Sequence, residues 1–208
     1  MGFPRHAAFH AWAAGLSVEL TLSNESDTPM PAGLGWHPYF PRTAGTTITA
    51  DVQAVWLTDD EVMPTTLAPP RPDADLSRGI SVDTSALDNC FVGWRRRAVI
   101  DWPEPGIRLV MAAEAPLDFL VVYTPPARPF FCAEPVSHVT DAFNLAAQGG
   151  TDTGARALAP GETLRAVVTL TVEHSAGVSP ARPATAGEAP RRSPRRRRRS
   201  IRSEARAG

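Results

Sequence analysis

Three short segments of this sequence set ionisable side chains among aromatics and prolines, in stretches that read as loops, where a rigid scaffold displays its chemistry. They are Gly35-Trp36-His37-Pro38-Tyr39-Phe40, Leu87-Asp88-Asn89-Cys90-Phe91-Val92-Gly93-Trp94 and Phe131-Cys132-Ala133-Glu134-Pro135-Val136-Ser137-His138. Glu134 follows the apolar run Phe130 to Ala133, so its carboxylate is expected to be part-buried. Burial disfavours the charged form and lifts a carboxyl pKa toward neutrality, which suits a general base. His37 carries the side chain that titrates near neutral pH, but a histidine between Trp36 and Pro38 can equally pack its ring at a sheet edge. Asp88 precedes Asn89, and Asp-Asn is good turn chemistry.

Glu134, His138 and Asp141 also invite a metal reading, because Glu and His four apart would share one face of a helix. Pro135 interrupts any helix there, and no second histidine supplies the spacing of a facial triad. No metal site is expected from this spacing.

The elements that must position these residues read as short strands. Leu16, Val18, Leu20 and Leu22 alternate with Ser17, Glu19 and Thr21, a period of two that faces a core on one side and water on the other. Leu164, Ala166, Val168, Leu170 and Val172 repeat the pattern after the turn-forming Pro160-Gly161. Residues 23–35 read as a loop of turn-formers. Shorter strands are expected near 46–57, 79–83, 97–102, 106–113 and 118–124, and a brief helix over 141–148. The 21 prolines are about double ordinary usage. Proline at that density removes too many amide donors for long helices, so the expected class is all-β, a sandwich of many short antiparallel strands.

Composition hides a division. All 21 basic residues are Arg, and ten of them lie at or beyond residue 182 with only Glu188 and Glu204 as acids, giving that end a net charge of +8. Residues 1–174 carry the remaining 11 Arg against 20 acids, a net charge of −9. The expected organisation is a β-sandwich domain over residues 1–174 and an Arg/Pro-rich tail over 175–208. The tail cannot bury enough apolar area to offset its ordering entropy, so disorder is expected there. Its Arg run could contact phosphates, but without interleaved aromatics it offers no base-stacking platform, and nucleic acid is not an expected partner.

Cys90 and Cys132 lie far apart in sequence and lack C-x-x-C partners, which argues against structural zinc and fits buried thiols in a reducing, cytoplasmic compartment. No run approaches the ~18 apolar residues of a membrane span. Residues 5–16 loosely imitate a secretory leader, but His10 breaks the apolar run and no small-residue cleavage site follows.

The segments Gly35 to Arg42, Leu87 to Trp94 and Phe119 to Asn144, in that order and at those separations, resemble the aldose 1-epimerase (galactose mutarotase) family. The resemblance covers roughly residues 1–173. It implies a large antiparallel sandwich with an open sugar cleft, and interconversion of the α and β anomers of a free aldohexose without metal or organic cofactor. In that scheme His37 is the general acid at the ring oxygen and Glu134 the base at the anomeric hydroxyl. Asp88 grips a sugar hydroxyl, and Trp36, Tyr39 and Trp94 supply apolar faces or pack the core. Family members normally begin with further strands and a loop bearing another histidine and an arginine. His6 and His10 lie in no matching motif, so the domain is expected to be N-terminally incomplete. A carbohydrate-binding sandwich that lost catalysis with those strands is the alternative. Val121 stands where galactose-preferring relatives carry a glutamine, so sugar preference stays open, as does the oligomeric state.

Overall fold

The computed structural model describes residues 4–174, so the sequence beyond, including the expected disordered tail, lies outside the described residues. Alternation is most regular in β2 (Gly15–Ser23) and β15 (Thr163–His174), and these pair antiparallel with Leu16 opposite Leu170, Val18 opposite Val168, Leu20 opposite Ala166 and Leu22 opposite Leu164. Residues directly opposite share a face, so each apolar side chain meets another across the ladder. Val18 and Val168 are completely buried. Enclosing an aliphatic side chain of this size contributes about 1.5–3 kcal/mol. On the opposite face Arg165 donates to Glu19 at 2.8 Å.

This pair nucleates a seven-stranded antiparallel sheet in the order β1 (Arg5–Trp12), β2, β15, β11 (Ile107–Ala113), β10 (Arg97–Trp102), β5 (Thr47–Ala50) and β8 (Ile80–Ser81). A six-stranded sheet packs against it in the order β4 (Tyr39–Pro41), β13 (Phe130–Val136), β12 (Phe119–Tyr123), β9 (Asp88–Val92), β6 (Ala54–Thr58) and β7 (Pro64–Ala68). Their facing side chains form one core that includes Ile48, Ile100 and Met111 from the larger sheet with Phe91, Leu120 and Phe131 from the smaller. A small ribbon of β3 (Met30–Ala32) and β14 (Arg156–Leu158), a 3-10 turn over Leu76–Arg78 and one short α-helix, α1 (Ala142–Ala147), complete the elements of the described residues. Among the described residues no helix is long and apolar enough to cross a membrane.

Five expectations change. Residues 23–35, read as a loop, contain β3, which pairs antiparallel with β14. Residues 46–57 are two strands in different sheets, because Asp51 to Gln53 carries the chain from one layer to the other. The three loop-like segments contribute strands β4, β9 and β13. Their sequences lack a clean alternation, because Cys90 and Cys132 on the outer face of the smaller sheet are buried as fully as the core residues beside them. Asp88 opens β9 instead of a turn. Residues 5–12, which only imitated a leader, form β1, antiparallel to β2 with Phe9 opposite Val18. At their turn a Cβ on Gly15 would fall 2.4 Å from the Trp12 ring and 2.5 Å from the Leu170 carbonyl oxygen, so only glycine fits.

Candidate active site

Strand β13 decides which side chains meet. Phe131 and Ala133 point into the core, so Cys132 and Glu134 project from the outer face of the six-stranded sheet. Register extends this face across neighbouring strands. Val121 lies opposite both Glu134 and Cys90, forming one row, while Tyr123 lies opposite both Cys132 and Asp88, and Tyr39 opposite Cys132, forming the next.

His37 enters from the segment between Gly35, which bridges to Val136, and β4. The backbone N–H of Trp36 donates to the carbonyl of Pro135 at 3.1 Å and ties that segment to the strand bearing Glu134. The consequence is direct contact: His37 Nε2 lies 3.2 Å from Glu134 Oε1. The Glu134 side chain is only 12% exposed and that of His37 is 50% exposed, so the carboxylate forms the floor and the imidazole the wall. Tyr39 holds the imidazole plane by stacking at 4.9 Å and 18°, and meets Phe130 edge-on at 5.0 Å. Aromatic geometry of this kind contributes about 0.5–1.5 kcal/mol beyond burial.

The electrostatics match the geometry. Burial, reinforced by the negative charge of Asp88, pushes the Glu134 carboxyl up to about 7. Partial burial also raises Asp88 from its ordinary value, while the nearby His37 pulls it back. The thiol of Cys132 is pushed up to about 12 by burial, then by the charges of Glu134 and Asp88. A carboxyl poised near neutrality beside an imidazole can take a proton in one direction and return it in the other.

His37, Glu134, Asp88 and Tyr39 thus belong to one face. Trp36, proposed from sequence as a sugar contact, packs against the main core beside His37. Trp94 is buried, its Nε1 donating to the Arg97 carbonyl at 2.9 Å. The spacing that suggested Glu134, His138 and Asp141 does not form a helix, since β13 runs through Val136. His138 Nδ1 lies 3.0 Å from Ser137 Oγ, and Asp141 accepts from Asn144 beside α1. Sequence reasoning missed Cys132 as a member of the site. Its signal was the two-residue step to Glu134, which puts both on one face once the segment is a strand. A cavity of about 590 Å³ lined by Val92, Trp94, Asp118, Phe119 and Arg156 among others contains none of the four; they stand on the open face beside it.

The sequence model of the family described as aldose 1-epimerase matches residues 13–171. Uncharacterized protein YphB of Escherichia coli (strain K12) is 33% identical over 174 residues, which are 80% of this chain and 59% of YphB. The crystal structure of a candidate aldose 1-epimerase from Escherichia coli K12 is similar with a TM-score of 0.72 at 30% identity, covering 81% of this chain and 59% of that one. A galactose mutarotase-like protein from Clostridium acetobutylicum is similar with a TM-score of 0.70 at 20% identity, covering 81% and 55%. The fold is therefore the galactose mutarotase-like sandwich, and the chain spans about 59% of the length of the relatives first matched.

Proposed function

The chain belongs to the aldose 1-epimerase family, and on that footing we propose that it interconverts the α and β anomers of a free aldohexose through acid–base ring opening by Glu134 and His37. The observation that carries this reading is the 3.2 Å separation of His37 Nε2 and Glu134 Oε1. The ring oxygen and the anomeric hydroxyl oxygen are bonded to the same carbon. Two catalytic groups that touch each other are spaced to reach two oxygens that share one atom.

The Glu134 carboxylate accepts the proton of the anomeric hydroxyl. The electron pair of that O–H bond becomes the second bond of an aldehyde as the bond from the anomeric carbon to the ring oxygen breaks. The pair released onto the ring oxygen takes the proton that His37 delivers from Nε2. The products are an open-chain aldehyde, protonated Glu134 and neutral His37. Rotation about the first carbon–carbon bond presents the other carbonyl face. Reclosure then returns a proton from Glu134 to the new anomeric oxygen while His37 recovers its own from the closing hydroxyl. A Glu134 pKa near 7 favours this reversal, because a strong or weak base would trap the proton on one side.

Asp88 anchors a sugar hydroxyl by a charge-assisted hydrogen bond, and its charge keeps Glu134 basic. Tyr39, well exposed and stacked on His37, offers an apolar face to the sugar ring. Trp36 supports the His37 segment from the core side. The two buried, unbridged thiols support residence in a reducing compartment such as the cytoplasm.

The test is polarimetry on freshly dissolved pure anomers of a panel of aldohexoses. Accelerated approach to the equilibrium rotation with at least one of them is expected. Failure to accelerate any of them would overturn the proposal.

A further inference from the structure

We infer that His37 Nε2, Cys132 Sγ and Glu134 Oε1 form a three-donor site for a thiophilic divalent transition-metal ion of the zinc class, and that its occupancy shuts off the catalytic pair. The inference rests on the reading of His37 and Glu134 given above. One donor atom from each of these three residues lies within 4.8 Å of the other two, and no other group of three histidine, cysteine or acidic donors lies as close among the described residues. Cys132 and Glu134 are two residues apart on one strand and share its outer face, while His37 reaches over them from the segment preceding β4.

Zinc bonds of about 2.0–2.3 Å place tetrahedral ligands about 3.3–3.7 Å apart. The imidazole and carboxylate already stand 3.2 Å apart, so modest side-chain rotation closes the set. Three protein donors leave a fourth position for water or a sugar hydroxyl. Thiolate and imidazole select a zinc-like ion over magnesium or calcium, which take oxygen ligands.

The surroundings are acidic: Asp88 and Cys132 both lie opposite Tyr123 in one cross-strand row, and Glu134 stands two residues along β13 on the same face. Coordination breaks the Cys132 S–H bond, leaves the electron pair on sulfur for the metal and releases the proton to solvent. The half-exposed imidazole provides the entry. Cys90, buried on the same face, is not part of the set. A bound ion occupies the Nε2 and carboxylate lone pairs that proton transfer requires, so metal and catalysis exclude each other.

The full chain, stripped with chelator, is titrated with Co²⁺ as a spectroscopic stand-in for Zn²⁺. One equivalent is expected to produce near-ultraviolet thiolate-to-cobalt charge transfer with the strong visible bands of a tetrahedral site. Cys132→Ser and Cys132→Ala, each verified as folded by thermal melting, are expected to lose the charge-transfer band. They should also raise the Zn²⁺ concentration for half-inhibition of anomer exchange at least tenfold, measured against each variant's own metal-free rate. His6, His10 and His138 would bind cobalt without a sulfur band. No charge transfer in the wild type, or a band that persists in both variants, overturns the inference. A metal-free protein that catalyses anomer exchange but shows no band keeps the catalytic reading and ends the metal one; a band without catalysis does the reverse.

Discussion

Asp88 and Glu134 reach the same face of the six-stranded sheet from strands β9 and β13, in adjacent cross-strand rows, and the charge of Asp88 adds to burial in holding Glu134 near 7. The two carboxyl groups are therefore coupled, and changing Asp88 retunes Glu134.

Asp88→Asn removes that charge while keeping a hydrogen-bonding side chain. The acidic limb of the pH–rate profile is expected to move to lower pH, because Glu134 loses one of the two causes that raise it. It should stay above the ordinary value of 4.5, since burial is the larger cause. KM should rise as the sugar loses an anchor. Anomer exchange followed by NMR from pH 5 to 9 reads both.

His37→Asn keeps polar contact with Glu134 but cannot deliver a proton near neutral pH. A positioned acid contributes about 10²–10⁴-fold. The loss should appear in kcat, with the sugar still binding by calorimetry; a change in KM alone would count against proton transfer by His37.

Tyr39→Ala releases the stacked imidazole, whereas Tyr39→Phe retains the ring. The first is expected to lower kcat/KM roughly tenfold, which is about 1.4 kcal/mol, and the second to remain within a few-fold of wild type. Equal losses in the two would assign the effect to the hydroxyl instead.

Glu134 also sets a stability cost. Its folded pKa of about 7 lies above the ordinary value of 4.5, so between those values the folded state holds a proton that the unfolded chain has released. Stability contributed by the protonated form is complete below about pH 4.5, falls as pH rises through about 7, and levels off beyond. A shift of this size corresponds to about 3 kcal/mol. Glu134→Gln should therefore melt higher than wild type above pH 7, with the difference closing near pH 4.5. Calorimetric melting across that range measures it.

Phe131 is completely buried on the inner side of the strand that carries Glu134. Phe131→Ala is expected to cost about 3–5 kcal/mol by urea unfolding, through lost burial and the cavity left behind.

Much of the frame was legible where one side of a strand faces the core and the other faces water. Leu16 to Leu22 and Leu164 to Val172 alternate, and both are strands at the expected places. The expectations for 97–102, 106–113 and 118–124 also meet β10, β11 and β12 within about a residue. Legibility failed where both faces are occupied. In β13 Phe131 and Ala133 fill the core while Cys132 and Glu134 build the site, so no period of two appears and Pro135 suggests a break. Residues 5–12 failed for the opposite reason, because every residue of β1 is exposed and neither face is selected. Residue chemistry joined to family resemblance singled out His37 and Glu134, and the fold sets them in contact. Cys132 beside them was not legible, since its membership depends on strand geometry that the sequence pattern concealed.

The most direct test of the acid–base pair is the anomer exchange rate of Glu134→Gln, measured by polarimetry at pH 7 on protein shown by circular dichroism to be folded. Glutamine keeps the shape and the contact with His37 but cannot accept the anomeric proton. A fall of about 10²-fold or more is expected. A folded variant that exchanges anomers at the wild-type rate would contradict the assignment.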